Sequence, residues 1–165
     1  MCGVRMGERA LQVGINDPVL AGAIAAKVGL SGHAAIAVGD DRAGAVAQRA
    51  AALVGALVDI RITPRDALPF DRDAFDLIVL HAGASVPPFG GAAAMGVFRE
   101  CHRVLRVGGR IVIIEGSPKT LLKGSTLGPD DKAAVAALTG AGFGVARVLA
   151  EREGFRFTEG LKSRP

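Results

Sequence analysis

The stretch Phe75-Asp-Leu-Ile-Val-Leu80 is apolar at every position but one. A strand with one wet face alternates polar and apolar residues, whereas this run leaves no face for solvent and reads as a strand buried on both sides. Strands of that kind belong to parallel sheets, which helices cover above and below. Arg110-Ile-Val-Ile-Ile-Glu-Gly116 repeats the pattern downstream. Ile78 and Ile113, central in the two runs, are therefore expected in the core.

Working outward, β-rich runs alternate with alanine-rich helical ones. Arg9–Gly14 reads as a first strand, His33–Val38 as a second and Val58–Thr63 as a third, with Phe75–Leu80 fourth and Arg110–Gly116 fifth. Asp17-Pro18 opens a helix to about Val28, with Asp as N-cap and Pro at the first helical position. Asp41–Ala56 is helical by its alanine content despite internal glycines. A third helix runs from about Ala92 to Arg106 and stops before Gly108-Gly109. A fourth begins at Pro129, with acidic residues at its positive end. The tail, VARVLAERE followed by FRFTEGLK, reads as a hairpin turning at Glu153-Gly154. Strand–helix alternation five deep predicts one α/β domain over residues 1–165, built on a doubly wound, Rossmann-like, mostly parallel sheet.

Composition narrows the class. Of 165 residues half are hydrophobic and 22% charged, which suits one compact domain with a sizeable core. The net charge of +4 comes from scattered basic residues, and with no Trp or Tyr to stack on bases, nucleic acid is not the expected partner. Two cysteines, Cys2 and Cys101, make no disulfide framework, so a reducing cytoplasm is the expected compartment. No run approaches the roughly 18 apolar residues of a membrane span, and none near the start has the length of a signal-peptide core.

Several chemistries lack their residues. His33, His81 and the cysteines show no metal-ligand spacing, and Cys101 and His102, adjacent on a helix, point in different directions. Gly83–Pro87 lacks the closing glycine of a nucleophile elbow. Gly124–Lys132 has no lysine directly after its second glycine, as a phosphate loop requires. A nicotinamide cofactor would need more glycines after the first strand than Gly14 alone.

The order GERALQVG, RDALPFDRDAFDLIVLHAG, FRECHRVLRVGGRIVIIEG and a Gly-Phe before the closing hairpin resembles a class I S-adenosylmethionine-dependent methyltransferase, of the small-molecule and quinone-biosynthesis type. The likeness covers essentially the whole chain and is most specific from Asp66 to Glu115. It implies a seven-stranded sheet whose last strand is antiparallel. It also implies S-adenosylmethionine as cofactor and a small molecule as methyl acceptor. Family members usually carry helices ahead of the first strand as one wall of the cofactor pocket; here about eight residues precede it, so the domain is expected to lack that extension.

Carried over residue by residue, the resemblance assigns the amino-acid end of the cofactor to Gln12, Gly14 and Asn16, and the ribose to Asp40. The adenine falls to Asp66 with Ala67 and Leu68. His81, at the carboxyl end of the fourth strand, is the candidate general base, and Gly83–Gly91 the acceptor-side gate. The opening motif departs from the family's Leu-Asp-Val-Gly-Cys-Gly-Thr-Gly. Leu11–Pro18 keeps its first glycine only, places Gln12 where an acid would meet the cofactor's ammonium group, and introduces Asp17 and Pro18. Asn16 is a candidate substitute for the second glycine, because Asn enters the left-handed region more readily than most residues. Asp17 would cap the helix where an open loop leaves donors free for a ligand. The ribose position aligns with Gly39, so Asp40 reaches it by a one-residue bulge or else caps the next helix. Two functions stand open at this point: a small-molecule methyltransferase with weakened cofactor binding, or a non-catalytic relative that binds a protein partner or a second copy of itself.

Overall fold

The computed structural model describes residues 3–82, 92–116, 132–152 and 154–164. In chain order the elements are β1 (Arg9–Val13), α1 (Pro18–Val28), β2 (His33–Val38), α2 (Asp41–Leu53), β3 (Asp59–Ile62), β4 (Phe75–Ala82), α3 (Ala92–Val104), β5 (Leu105–Gly116), α4 (Ala133–Gly140), β6 (Val145–Arg152) and β7 (Phe155–Leu161). The strands form one sheet in the order β3-β2-β1-β4-β5-β7-β6. β1 to β5 pair in parallel, and β7 runs antiparallel to both β5 and β6. This is the Rossmann-like, mostly parallel α/β sheet with an antiparallel last strand that the sequence predicts.

Both faces of the central strands are dry. On β4, Ile78 and Leu80 pack with Leu11, Ile113, Phe98 of α3 and Leu138 of α4. Leu77 and Val79 face the other way, against Val112, Ile114 and the α1 residues Ile24, Ala25 and Val28. Ile78 and Ile113 are fully buried, as expected. Each such side chain contributes about 1.5–3 kcal/mol by leaving water, which fixes the register of these strands. Cys101 lies in the same core, where burial pushes its thiol up to about 12. α1 and α2 touch closely: a Cβ at Gly22 would lie 2.9 Å from the Ala50 carbonyl oxygen.

The closing hairpin folds so that β7 pairs with β5 and β6 forms the sheet edge. One helix boundary differs from expectation. The third helix ends at Val104, and Gly108-Gly109 lie inside β5. The Lys162 ammonium, 7% exposed, explains that early stop. It donates to the carbonyls of His102 (2.8 Å) and Leu105 (2.6 Å) and to Asp73 Oδ1 (2.7 Å), capping the helix end from the tail of the chain. Gly108 N–H then donates to Lys162 O at 2.8 Å, with φ +76° at Gly108 allowing the turn. The expected helix start at Pro129 and the turn residue Glu153 lie outside the described residues. Among the described residues no helix is long and apolar enough to cross a membrane.

Candidate functional site

The strand order reverses between β1 and β4: the chain passes from β1 outward to β3, then returns to the centre. Open α/β sheets take ligands at the carboxyl ends of such strands. There, at the ends of β1 and β2, lies a cavity of about 240 Å³ lined by Gly14, Ile15, Val38, Gly39, Asp40, Ala43 and Arg65.

The β1–α1 turn closes on itself. Gly14 takes φ +79°, a conformation L side chains rarely adopt, and its N–H donates to Ala37 O at 2.8 Å. Asp73 is the only described non-glycine residue with positive φ, so Asn16, which is exposed, does not stand in for a left-handed glycine. The extended backbone of Asp17 (φ −126°, ψ 103°) brings the chain into α1 without one. The Asp17 carboxylate accepts from Val19 N–H (2.9 Å) and Leu20 N–H (3.1 Å), and Pro18 has no N–H to offer. The first-turn donors that serve a ligand in an open loop are thus spent within the chain. Substituting Asp17→Ala is expected to cost about 1 kcal/mol, the usual value of a lost N-cap, measured by equilibrium denaturation.

Gln12 and His81 form the second closure. Both are 1% exposed. Gln12 Nε2 donates to Ala21 O at 3.0 Å, which turns its Oε1 toward His81 Nε2 at 3.2 Å. An amide oxygen only accepts, so His81 carries its proton on Nε2 and donates it to Gln12. Burial, with Asp17 opposing and Arg65 assisting, holds the imidazole down to about 4. His81 is therefore neutral near pH 7 and tied to β1 and α1.

The β2 end is more open. Asp40 is the N-cap of α2 and accepts from Ala43 N–H at 2.8 Å, yet it also lines the cavity. A side chain at Gly39 would meet nothing within 4 Å. The loop after β3 is firmly held. Leu68 is buried; its N–H donates to Glu100 Oε2 and its carbonyl accepts from Arg103 Nη2, both at 2.9 Å. Arg103 also donates to Phe70 O at 2.9 Å and pairs with Glu100. That pairing holds the Glu100 carboxyl below its ordinary range and lifts the Arg103 guanidinium above its own. Asp66 and Ala67 remain exposed on this loop, next to α3 at Gly96.

Sequence reasoning missed two features. The Glu100–Arg103 clamp has an i,i+3 signal within FRECHR. Arg65, which directly precedes the candidate adenine acid, enters the cavity; its Nη2 lies 3.1 Å from where a Gly14 Cβ would be.

S-adenosylmethionine carries a sulfonium and an ammonium beside one carboxylate. The cavity next to Gly39 and Asp40 suits a sugar. The residues present do not fit the amino-acid half: no acid stands at Gln12, the helix donors are occupied, and the Arg65 cation lies against Gly14.

The family model described as a methyltransferase domain matches residues 18–113. No curated protein matches the chain. Among solved structures, a protein from Methanococcus maripaludis assigned as an S-adenosyl-L-methionine-dependent methyltransferase superposes with a TM-score of 0.75 at 19% identity, covering 99% of this chain and 81% of its own. A SAM-dependent methyltransferase from Aquifex aeolicus gives 0.73 at 17% identity, covering 97% and 85%. A chain of the Haloferax volcanii complex between the Trm112 methyltransferase activator and its assigned methyltransferase gives 0.66 at 14% identity, covering 99% and 86%. The seven-stranded sheet and the family match lead to one assignment: the chain belongs to the methyltransferase domain family and has the fold of the class I S-adenosylmethionine-dependent methyltransferases.

Proposed function

We propose that this chain is a methyltransferase-fold protein closed at the amino-acid end of its cofactor site, working as a binding or regulatory member of the family and not as a methyltransferase on its own. The observation that carries the reading is the β1–α1 turn, whose ligand-facing groups are consumed by Asp17 and by the Gln12–His81 pair. The methyltransferase fold found in complex with an activator in Haloferax volcanii supports a protein partner as one use of such a domain.

The cavity beside Gly39 favours a second reading. In it the chain methylates a small molecule, with Asp40 on the ribose, Asp66, Ala67 and Leu68 around the adenine, and Gly14 and Asn16 at the amino-acid end. His81 is the weak point of that reading, because a general base must reach the acceptor's proton and this imidazole is buried against Gln12.

Isothermal titration of the purified chain with S-adenosylmethionine and S-adenosylhomocysteine separates the two. The expected dissociation constant is above about 100 μM, equivalent to about −5.5 kcal/mol. Low-micromolar binding of either ligand overturns the proposal and restores the enzyme reading.

A further inference from the structure

Arg65 has no hydrogen-bond or ion-pair partner among the described residues, and its Nη1 is shut off from solvent. That one N–H edge of a half-buried guanidinium has lost water without gaining an acceptor, a cost that an anion on the group relieves. Burial lowers its proton affinity accordingly. The group does not sit in a closed core but lines the cavity at the carboxyl ends of β1 and β2. Asp40 lines the same cavity without pairing to Arg65; one of its carboxylate oxygens takes the Ala43 N–H. The remaining walls are apolar or bare backbone: Ile15, Val38, Ala43, Gly14 and Gly39.

We propose that this cavity binds a phosphorylated sugar of the nucleoside monophosphate class, with the phosphate on Arg65 and a sugar hydroxyl on Asp40. A planar guanidinium matches phosphate oxygens with two parallel N–H donors, and carboxylates accept from vicinal hydroxyls. Bare glycine backbone at positions 14 and 39 lets the sugar approach closely. A cavity of about 240 Å³ holds more than a bare phosphate ion, and its apolar walls receive the rest of the molecule. The inference rests on the proposed closure of the amino-acid end, which leaves the Arg65 side of the cavity without the family's ligand.

Calorimetric titrations of the chain with adenosine 5′-monophosphate, adenosine, inorganic phosphate and S-adenosylhomocysteine test it. The monophosphate is expected to bind at least tenfold more tightly than adenosine and more tightly than inorganic phosphate. Arg65→Gln, checked for folding by far-UV circular dichroism, should bring the monophosphate down to the affinity of adenosine. The ³¹P resonance of the nucleotide should shift on adding wild type and stay put with the variant. Equal binding of monophosphate and adenosine, or full binding by Arg65→Gln, overturns the inference. If S-adenosylhomocysteine is the tighter ligand and loses affinity in Arg65→Gln, the arginine serves a carboxylate instead and the inference also fails. Weak binding of all four ligands sinks this inference alone. Low-micromolar binding of S-adenosylhomocysteine that does not depend on Arg65 sinks the functional reading above and, with it, the premise of this inference.

Discussion

Between pH 7 and pH 4 the chain is expected to lose about 3 kcal/mol of folding stability through one side chain, His81. Its imidazole titrates near 6.5 in the unfolded chain and is held down to about 4 in the fold, chiefly by burial. Above pH 6.5 both states are neutral and stability does not depend on this group. From 6.5 down to 4 the unfolded state takes a proton that the folded state refuses, so each pH unit removes about 1.4 kcal/mol until the folded imidazole also protonates. Glu100 adds to the acid sensitivity at lower pH. Its carboxyl is held below the ordinary range by Arg103, so its contribution is complete above the unfolded value and disappears as pH falls through the folded one. Urea denaturation of wild type and His81→Gln at pH 7, 5.5 and 4 isolates the histidine term. The variant is less stable at pH 7 but should show a much flatter profile between 6.5 and 4. Parallel profiles for the two proteins would mean that His81 is accessible to protons in the fold, and would reopen its candidacy as a base.

The fold was legible because it rests on burial patterns that need no partner outside the chain. The runs Phe75–Leu80 and Arg110–Gly116 leave no wet face, and both are central strands. Asp17-Pro18 is a local signal, and Asp17 is the N-cap. Where the sequence reading erred, the cause lies far along the chain. Gly108-Gly109 looked like a helix stop; the stop is set by Lys162, whose ammonium takes the His102 and Leu105 carbonyls. The order of the two hairpin strands was left open, because strand periodicity is blind to sheet order; β7 lies between β5 and β6.

The candidate site was legible only in part, for the same reason. The capping roles of Asp17 and Asp40 follow from neighbouring residues and are realised in the structure. The tie between Gln12 and His81 spans β1 and β4, and no spacing rule links positions 12 and 81. Arg65 carried no reading from the sequence; only the folded loop brings it to Gly14. Asn16 was a candidate substitute for the family's second glycine on propensity, but the extended Asp17 makes a left-handed residue there unnecessary.

Rebuilding the β1–α1 turn carries the second large effect and tests the closure most directly. The variant combines Gln12→Asp, Asn16→Gly, Asp17→Thr and Pro18→Gly. It removes the Asp17 carboxylate from the Val19 and Leu20 N–H groups, restores backbone freedom, and supplies an acid in place of an amide bound to Ala21 O and His81. The altered cap and added glycine should cost about 1–2 kcal/mol of stability. Against that, each charge-assisted hydrogen bond gained by the ligand contributes about 1.5–3 kcal/mol, which corresponds to at least a tenfold rise in affinity. Gln12→Asp alone should do less, because Asp17 still occupies the helix start. The deciding measurement is the calorimetric affinity of the fourfold variant for S-adenosylhomocysteine beside that of wild type. A gain of tenfold or more is the result expected of a site shut by its own chain; a variant that folds and binds no better than wild type contradicts it.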